Sequence, residues 1–316
     1  MSGRARSSAP SRVGSLLVGW ALHAGVAAGA AAAVRIERRT RGRVPLEVPV
    51  GTTVAIAAYW SALEVLERRR PFRPAWRQPV DGDTGTDLAF LAVILPVSLS
   101  VQALGASIAR RLPRRANLSR LPTPVAVALT VLAYDLAHSQ LHRLGHEWGP
   151  GWKVHSVHHS PKRLYWFNAT RFHTVETVID GLVDGFVAGA AGLSDDQEVA
   201  YLTVRALYGQ LQHCNVELRS GLLDRVFSTP DLHRWHHSTD YDEGDTNYGA
   251  VTSVWDQVFG TFFRPARAFD AVVGVGRMPD FPTTFAGLEA TPFRWARIRA
   301  ANAATWTDDR GHAVGT

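Results

Sequence analysis

The stretch LAFLAVILPVSLSVQALGASIA, residues 88–109, runs for 22 residues without a formally charged side chain. A helix needs about 20 such residues to cross the hydrocarbon core of a bilayer. A second uncharged run of 22 residues, VGSLLVGWALHAGVAAGAAAAV, covers residues 13–34. Pro96 within the first stretch would kink a helix, and membrane helices tolerate such kinks. Together the two runs predict an integral membrane protein.

Two shorter apolar runs accompany them, 48–63 with 16 residues and 121–134 with 14. Each could also be a buried helix of a soluble protein, and the run 13–34 could be a cleaved signal peptide, because arginines precede it. Arginine clusters lie on both sides of these runs, so the positive-inside rule does not set an orientation. The predicted fold is an all-α integral membrane protein with about four hydrophobic helices, three or four of them spanning, and a helical, histidine-rich cap.

Charge is distributed unevenly along the chain. The 316 residues include 34 Lys+Arg and 28 Asp+Glu, and residues 1–120 alone carry 18 arginines against 7 acidic residues. Because this basic half also contains the longest apolar runs, no nucleic-acid partner is predicted. The single cysteine, Cys214, excludes a disulfide framework and a zinc site built on thiolates.

Changes in composition divide the chain into three parts. Residues 1–120 form an N-terminal hydrophobic membrane region, residues 121–263 a domain in which histidine, aromatic and acidic residues occur together, and residues 264–316 a C-terminal tail. The periodicity of the tail is weak, so we expect a mostly extended wrap. The apolar run 175–193 is interrupted by two aspartates and four glycines, which favours a re-entrant or interfacial helix pair over a full span.

Histidine placement indicates the chemistry. Eleven of the thirteen histidines lie between His138 and His237, in one HxxxH motif at 142–146 and two HxxHH motifs at 155–159 and 233–237. An i,i+4 pair lies on one helix face, close enough to ligate one metal ion. In HxxHH the i,i+3 pair shares a face and the third histidine lies beside it. Each triple could therefore serve two adjacent metal ions.

The three motifs provide eight imidazoles, and His213 is a plausible ninth. One tetrahedral zinc uses fewer, and without thiolates such a set suits iron, copper, zinc or nickel. We expect His23 and His138 to be packing residues and His312 to be a solvated surface residue. The candidate metal ligands are His142, His146, His155, His158, His159, His213, His233, His236 and His237.

Two other classes of protein are alternatives. A single HxxxH or HxxHH motif is often a chance feature, but three in one chain are hard to explain in that way. A histidine-rich membrane metal transporter or sensor would place its ligands near the bilayer midplane. Here they follow the fourth apolar run, among Trp, Pro and charged residues, which favours a capping active site. The presence of all three motifs also argues against a non-catalytic membrane scaffold.

Longer motifs surround the histidines. Asp135 stands seven residues before His142, and several later stretches combine histidine with Asn, Arg, Trp and Tyr. These stretches are WKVHSVHHS at 152–160, NATRFHTVE at 168–176, QHCN at 212–215, TPDLHRWHHS at 229–238 and DTNYG at 245–249.

With these motifs, nearly half of the chain, from about Val125 to Phe263, resembles the fatty acid hydroxylase superfamily of sterol desaturase-like membrane di-iron enzymes. Residues 121–263 are therefore interpreted as a di-iron domain of this type. Two departures from the family pattern are visible. Thr174 replaces the usual proline, and Ser139-Gln140 stands where aromatic residues are common, which concerns the substrate pocket rather than the metal site.

The resemblance implies a cap that holds two iron ions, with zinc able to replace iron, and that uses O₂ as co-substrate. It implies oxidation of an unactivated lipid C–H bond in a sterol, fatty acyl chain, ether lipid or carotenoid, with hydroxylation preferred to desaturation. The chain has no His-Pro-Gly-Gly motif of a fused cytochrome b5. Electrons are therefore expected from a separate ferredoxin or cytochrome with its reductase.

Supporting side chains are expected to orient the imidazoles, because a carboxylate that accepts the second ring N–H fixes the tautomer. Asp135 and Glu176 are the main candidates, and Asp231 is another. His173 and Asn215, which lie in the motifs that resemble the family, complete the predicted set.

The HxxxH motif sets the expected depth of the site. His146 lies 11 residues after Asp135, about 16 Å at the helical rise. The metal ions would then lie at or just outside the headgroup region, within reach of a lipid tail and of a soluble electron donor. A midplane site would place Arg143 and Glu147 in hydrocarbon, at a cost of a few kcal/mol for each charge. With four spans, the histidine motifs and both termini share one side, which the resemblance implies is the cytoplasm.

Overall fold

The computed structural model describes residues 11–41, 49–113 and 116–302, and it is helical, with three isolated β-bridges in those ranges. The all-helical prediction is thus confirmed, while His312 lies outside the described residues. The helices are α1 (Arg12–Thr40), α2 (Val50–Arg69), α3 (Asp83–Arg110), α4 (Thr123–Glu147), α5 (Gly149–His159), α6 (Thr174–Ala191), α7 (Asp195–His213), α8 (Pro230–His236), α9 (Tyr241–Gly244), α10 (Val254–Phe259), α11 (Phe285–Glu289) and α12 (Thr291–Ala301).

Six long helices, α1 to α4, α6 and α7, form a bundle in which α3 and α6 run parallel to each other and α1 runs antiparallel to α7. At one end, Arg38 near the end of α1 pairs with Asp196 in the first turn of α7 at 2.7 Å. At the other end, the Arg219 N–H donates to the Ser15 carbonyl near the start of α1 at 3.0 Å. The short helices and α5 gather at this second end, where α12 packs on α5 and α8 on α7. They form the cap that the sequence predicts.

Two of the described helices, α1 and α3, are long and apolar enough to cross a membrane. Leu88, Leu95 and Leu104 on the outside of α3 are each more than half exposed (59%, 51% and 53%). An apolar exterior of this kind suits lipid rather than water, so the chain fits an integral membrane protein. Glu64 and Asp135 end the apolar runs within α2 and α4. The predicted count of four hydrophobic helices is therefore not confirmed.

Residues 175–193 differ from the expected re-entrant or interfacial pair. They belong mostly to α6, a single helix of 18 residues that packs along α3. A Cβ on Gly185 would lie 1.9 Å from the Gln102 carbonyl oxygen, and one on Gly189 would lie 2.7 Å from that of Ala106. The two backbones approach so closely because no side chain separates them. The glycines that interrupt the apolar run thus serve helix packing.

The C-terminal part also differs from the extended wrap expected for residues 264–316. Residues 285–301 form α11 and α12, and the Thr291 hydroxyl donates to the Lys153 carbonyl of α5 at 2.7 Å. Trp295 is buried in an apolar cluster that includes side chains of α3 and α5. With 5 and 11 residues, these helices are too short to show a clear helical period in the sequence.

Gly185→Ala tests the packing of α3 against α6. The added methyl group must push the helices apart, and overpacking of this kind costs about 1–3 kcal/mol of stability. We expect a lower Tm of the detergent-solubilised protein, followed by tryptophan fluorescence. Gly85→Ala is the matched control, because a Cβ at this helical glycine would meet no atom within 4 Å. Its Tm should stay unchanged or rise slightly, and equal Tm values for the two variants would contradict the close packing.

Candidate metal centre

Four stretches of chain bring nine histidines together at the cap end of the bundle. They are the end of α4, α5, the last residue of α7, and α8 with the residue that follows it. In each of two groups, the nitrogens able to bind a metal lie within 4.8 Å of one another. These nine are the residues that the sequence proposes as ligands. The first group is His142, His146, His155, His159 and His236, and the second is His158, His213, His233 and His237.

Each HxxHH motif contributes to both groups. In α5 the i,i+4 pair, His155 and His159, joins the first group, while His158 joins the second. The motif at 233–237 does the reverse, with His236 in the first group and its outer pair in the second. The motifs thus divide between two sites, but through the i,i+4 pair rather than the expected i,i+3 pair. Residues i and i+4 are only about 40° apart around a helix, against about 60° for i and i+3.

In six of these histidines Nδ1 faces an oxygen that can only accept a hydrogen bond. The acceptor holds the proton on Nδ1, so Nε2 keeps its lone pair. Glu176 Oε1 accepts from His155 at 2.7 Å, and Asp245 Oδ1 accepts from His146 at 2.9 Å. The other acceptors are the Tyr248 carbonyl for His142 (2.9 Å), the Thr246 carbonyl for His236 (2.8 Å), the Asn168 amide oxygen for His213 (2.9 Å) and the Arg171 carbonyl for His158 (3.2 Å).

The Nε2 atoms meet inside each group. His142 Nε2 lies 3.0 Å from His155 Nε2, and His158 Nε2 lies 3.3 Å from His213 Nε2. All four rings carry their proton on Nδ1, so in both pairs lone pair faces lone pair. A cation bound by both nitrogens removes this repulsion. Two adjacent ligands each about 2.1 Å from one ion lie about 3.0–3.4 Å apart, so both groups fit a metal ion.

Eight of the nine histidines have a strongly lowered pKa, His142 and His146 among them. Burial lowers the pKa of His213 and of His236 to about 3. Their imidazoles are neutral at physiological pH, as metal ligands must be, and no added proton bridges the facing nitrogens. Burial, together with the neighbouring imidazoles, lowers the pKa well below its usual value in His158, His159, His233 and His237.

The aspartates expected to orient imidazoles bind backbone groups instead. Asp135 accepts from the N–H groups of Val251 at 3.2 Å and Thr252 at 2.6 Å. Asp231 accepts from the Ser220 N–H at 3.1 Å. A carboxylate in the right stretch of sequence can satisfy any nearby donor, and backbone N–H groups of the cap loops are nearer to these two than any ring nitrogen.

His173 and Asn215 also lie outside both groups. His173 Nδ1 accepts from the Val175 N–H at 3.1 Å and so caps α6. Asn215 Oδ1 accepts from the Arg73 N–H at 2.9 Å and holds the loop after α2. Among the residues that the structure describes, Glu176 is thus the one predicted supporting residue in contact with a histidine of the two groups.

Some residues at the site were not predicted. Asp245 accepts a hydrogen bond from His146, and Asn168 accepts one from His213. Both residues lie in the quoted motifs, but their spacing does not show which ring they face. Three further acceptors are backbone carbonyls, which no side-chain pattern predicts. The buried Tyr248 hydroxyl has no hydrogen-bond partner in the described ranges, and its ring centroid lies 5.2 Å from that of His146.

Two other histidines stand apart from the groups. His138, one turn before His142, donates from Nδ1 to Asp180 at 2.7 Å. His23 donates from Nδ1 to the Gly19 carbonyl within α1 at 2.8 Å. Both therefore have oxygen partners of their own, and neither belongs to a group that could hold a metal ion.

Comparison with known proteins points to the same chemistry. A family model described as fatty acid hydroxylase matches residues 127–261. The ornithine lipid hydroxylase of Rhizobium tropici is 33% identical over 234 residues, which cover 71% of this chain and 69% of that protein. The match is thus much longer than the stretch from His142 to His237 that carries the histidine motifs.

Other relatives match over a shorter stretch. Alkylglycerol monooxygenases of Homo sapiens and Danio rerio are 28% and 29% identical over 131 and 135 residues, or 42% of this chain. The chain spans only 29% and 30% of their lengths. No solved structure shows significant similarity to the chain. The family model and the long match to a lipid hydroxylase show that the chain belongs to the fatty acid hydroxylase superfamily and is an oxidoreductase.

Proposed function

We propose that the protein is an O₂-dependent, non-haem di-iron enzyme that hydroxylates a C–H bond of a membrane lipid. The observation that carries the proposal is the pair of histidine groups, whose facing nitrogens suit one metal ion each. The relatives are named for hydroxylation or monooxygenation of lipids, which supports hydroxylation over desaturation.

The donor set fits iron in both groups. Neutral imidazoles without thiolates suit iron, and zinc can replace it. When bound, the two irons supply O₂ activation, with electrons from an external ferredoxin or cytochrome and its reductase. The nine histidines hold the ions, and the oxygen acceptors on Nδ1 keep each ring turned toward its ion.

Aromatic side chains shield the centre from water. Phe172 stacks on His158 with ring centroids 4.2 Å apart and planes 8° apart. Trp152 is buried, with its ring centroid 5.2 Å from that of His146 and 5.4 Å from that of His159. Excluding water protects a reactive centre from side reactions and strengthens the electrostatic interactions inside it.

The three predicted domains receive roles in this proposal. Residues 1–120 anchor the enzyme in the bilayer, residues 121–263 carry the centre, and the helices after residue 263 brace α5. The histidines lie at one end of an apolar bundle, so a lipid can reach them from the membrane and an electron donor from water. We propose that this end faces the cytoplasm.

Ornithine lipid is the first substrate to test. The ornithine lipid hydroxylase covers far more of this chain than the alkylglycerol monooxygenases do, 71% against 42%. Ether lipids, acyl lipids, sterols and carotenoids follow as further candidates.

The metal content tests the two-site arrangement. We expect two metal ions per chain in the purified protein, measured by elemental mass spectrometry. His236→Ala removes a ligand of the first group and His233→Ala one of the second. Each variant should lose one metal ion to a chelator at a concentration that removes no metal from the parent protein. His23→Ala is the control and should keep both ions, whereas a single ion in active parent protein would exclude the dinuclear site.

Glu176 provides a second test. Glu176→Leu removes the acceptor of His155 Nδ1, so metal affinity should fall about 10–100-fold in a chelator competition assay. Glu176→Gln keeps an acceptor oxygen and should lose less. His173→Asn is the control, because Asn still caps α6 and the residue contacts neither group. Equal losses in Glu176→Leu and His173→Asn would show that Glu176 has no orienting role.

The reaction is tested by comparing lipid extracts of cells with and without the protein. The extract of expressing cells should contain a lipid heavier by one oxygen atom, and growth under ¹⁸O₂ should place the heavy isotope in it. Cells expressing His236→Ala should lack the product. A product lighter than its precursor by two hydrogen atoms would show that the reaction is desaturation rather than hydroxylation. Unchanged lipids would argue against the proposed activity.

A further inference from the structure

Two short segments of the cap carry large apolar side chains on their outer surface. The first is a 3₁₀ helix, Gly221–Arg225, with the residue that follows it, and the second is α10. Leu222 and Val258 are 80% and 62% exposed, and Val226 and Phe259 are exposed as well. Single exposed apolar residues are common on soluble proteins, but a contiguous apolar surface marks contact with another molecule or with a membrane.

Hydrogen bonds hold the two segments side by side. The Gln257 side chain donates to the Arg225 carbonyl at 2.7 Å, and the Ser253 N–H donates to the Val226 carbonyl at 3.1 Å. The exposed apolar side chains therefore belong to one surface. We call this surface the cap patch, and it consists of Leu222, Val226, Val258 and Phe259.

On one side the cap patch continues into α1, one of the two described helices that are long and apolar enough to cross a membrane. The Trp20 indole N–H donates to the Ser220 carbonyl at 3.1 Å, next to the first segment. Val13, Leu17 and Trp20 are each more than half exposed, and their i, i+4, i+7 spacing places them on one face of α1. This face of α1 and the cap patch thus form one apolar surface.

On the other side the cap patch meets α4. The Trp255 indole N–H of α10 donates to the Leu132 carbonyl at 2.9 Å, and Leu129 and Leu136, about one turn away on α4, are exposed. Leu132 lies about 22 Å from the end of α4 at Glu147, at the helical rise of 1.5 Å per residue. Therefore α10 lies beside the body of the bundle and not above its end.

We propose that the cap patch is immersed in the membrane leaflet that surrounds the start of α1, where it contacts lipid acyl chains instead of water. The two segments then anchor the cap at the bilayer interface, beside the spanning helices. This inference concerns how the cap meets the bilayer, and it does not depend on the proposed lipid hydroxylation.

The charged residues of the two segments suit this position. Both acids, Asp224 and Asp256, are buried, and Asp224 pairs with Arg264. They therefore bring no exposed negative charge to the lipid. Arg219 and Arg225 are exposed at the edge of the cap patch. A long arginine side chain can keep its apolar stem beside acyl chains and extend its charged end to lipid phosphates.

A second copy of the chain is the alternative cover for the cap patch. Two segments of five and six residues offer little area for a stable dimer, which buries about 800 Å² on each partner. The patch also continues into α1, whose outer face already requires apolar surroundings. Lipid covers both surfaces at once, whereas a dimer contact at the patch alone would leave the face of α1 uncovered.

The cap patch is closely connected to the first histidine group. The loop that leads into α10 contains the Thr246 and Tyr248 carbonyls, which accept from His236 and His142. In the proposed position, α10 therefore holds this loop, and with it the first group, at the border between lipid and water.

Spin labels test the proposal directly. Leu222→Cys and Val258→Cys, each in a Cys214→Ala background, provide single labelling sites in the full-length protein in phospholipid nanodiscs. Leu95→Cys on the exposed apolar side of α3 and Asp280→Cys on an exposed cap loop are the references. We expect both patch labels to be more accessible to dissolved O₂ than to a water-soluble nickel complex, as the Leu95→Cys label should be. The Asp280→Cys label should show the reverse.

Two results would overturn the proposal. Patch labels that respond like the Asp280→Cys label would place the surface in water. Patch labels that are shielded from both reagents, with dipolar broadening between copies, would show that a second chain covers the surface.

A charge on the cap patch provides an independent test. Because Leu222 is so exposed, Leu222→Asp removes few contacts within the protein, and a carboxylate is costly in contact with acyl chains. The Tm of this variant in nanodiscs should fall by several degrees. Val272→Asp is the matched control, because Val272 is 69% exposed on a cap loop outside the patch, and its Tm should match that of the parent. Equal Tm values for the two variants would contradict immersion of the patch.

Discussion

A neutral imidazole carries one N–H proton, on either Nδ1 or Nε2. The cap fixes this proton on Nδ1 in most of the rings whose hydrogen bonds are described above. Each ring whose Nδ1 meets an oxygen acceptor must present Nε2 to its neighbours, so the acceptors decide where a metal ion could bind. Most of these acceptors belong to loops, and the loops need supports of their own. Asp256 supplies one by accepting from the N–H groups of Tyr248 at 2.7 Å and Gly249 at 3.1 Å. Asp135 supplies another at Thr252, so buried acids act on the rings through the backbone.

The apolar helices support the same rings by a different route. The Arg171 carbonyl accepts from His158, while the Arg171 guanidinium pairs with Asp87 of α3 at 2.5 Å. Nearby, Arg163 pairs with Asp83 at the start of α3, and both side chains are buried. Removing one partner of such a buried pair is strongly destabilising, because it leaves an uncompensated charge. The first turns of α3 therefore serve as a rigid base for the segment between α5 and α6.

Sequence patterns predict the ligand candidates better than their surroundings. Histidine spacing identifies eight of the nine rings, because helical periodicity brings the members of each motif to a common face, while His213 stands outside the spaced motifs. The same spacing does not distinguish Asp135, which binds a loop backbone, from Asp245, which faces His146. The two aspartates have identical chemistry, and their partners depend on loops far away in the chain. The glycines of α6 were also ambiguous, since Gly185 interrupts an apolar run in the sequence and permits close packing in the fold.

The two groups draw their histidines from distant parts of the chain. The first spans residues 142–236 and the second spans residues 158–237. A nascent chain therefore delivers α1 to α4 to the membrane long before either group is complete. Biosynthesis separates insertion from metal loading in time. A polypeptide cut by proteolysis before residue 233 would keep most of its apolar helices but have neither complete centre.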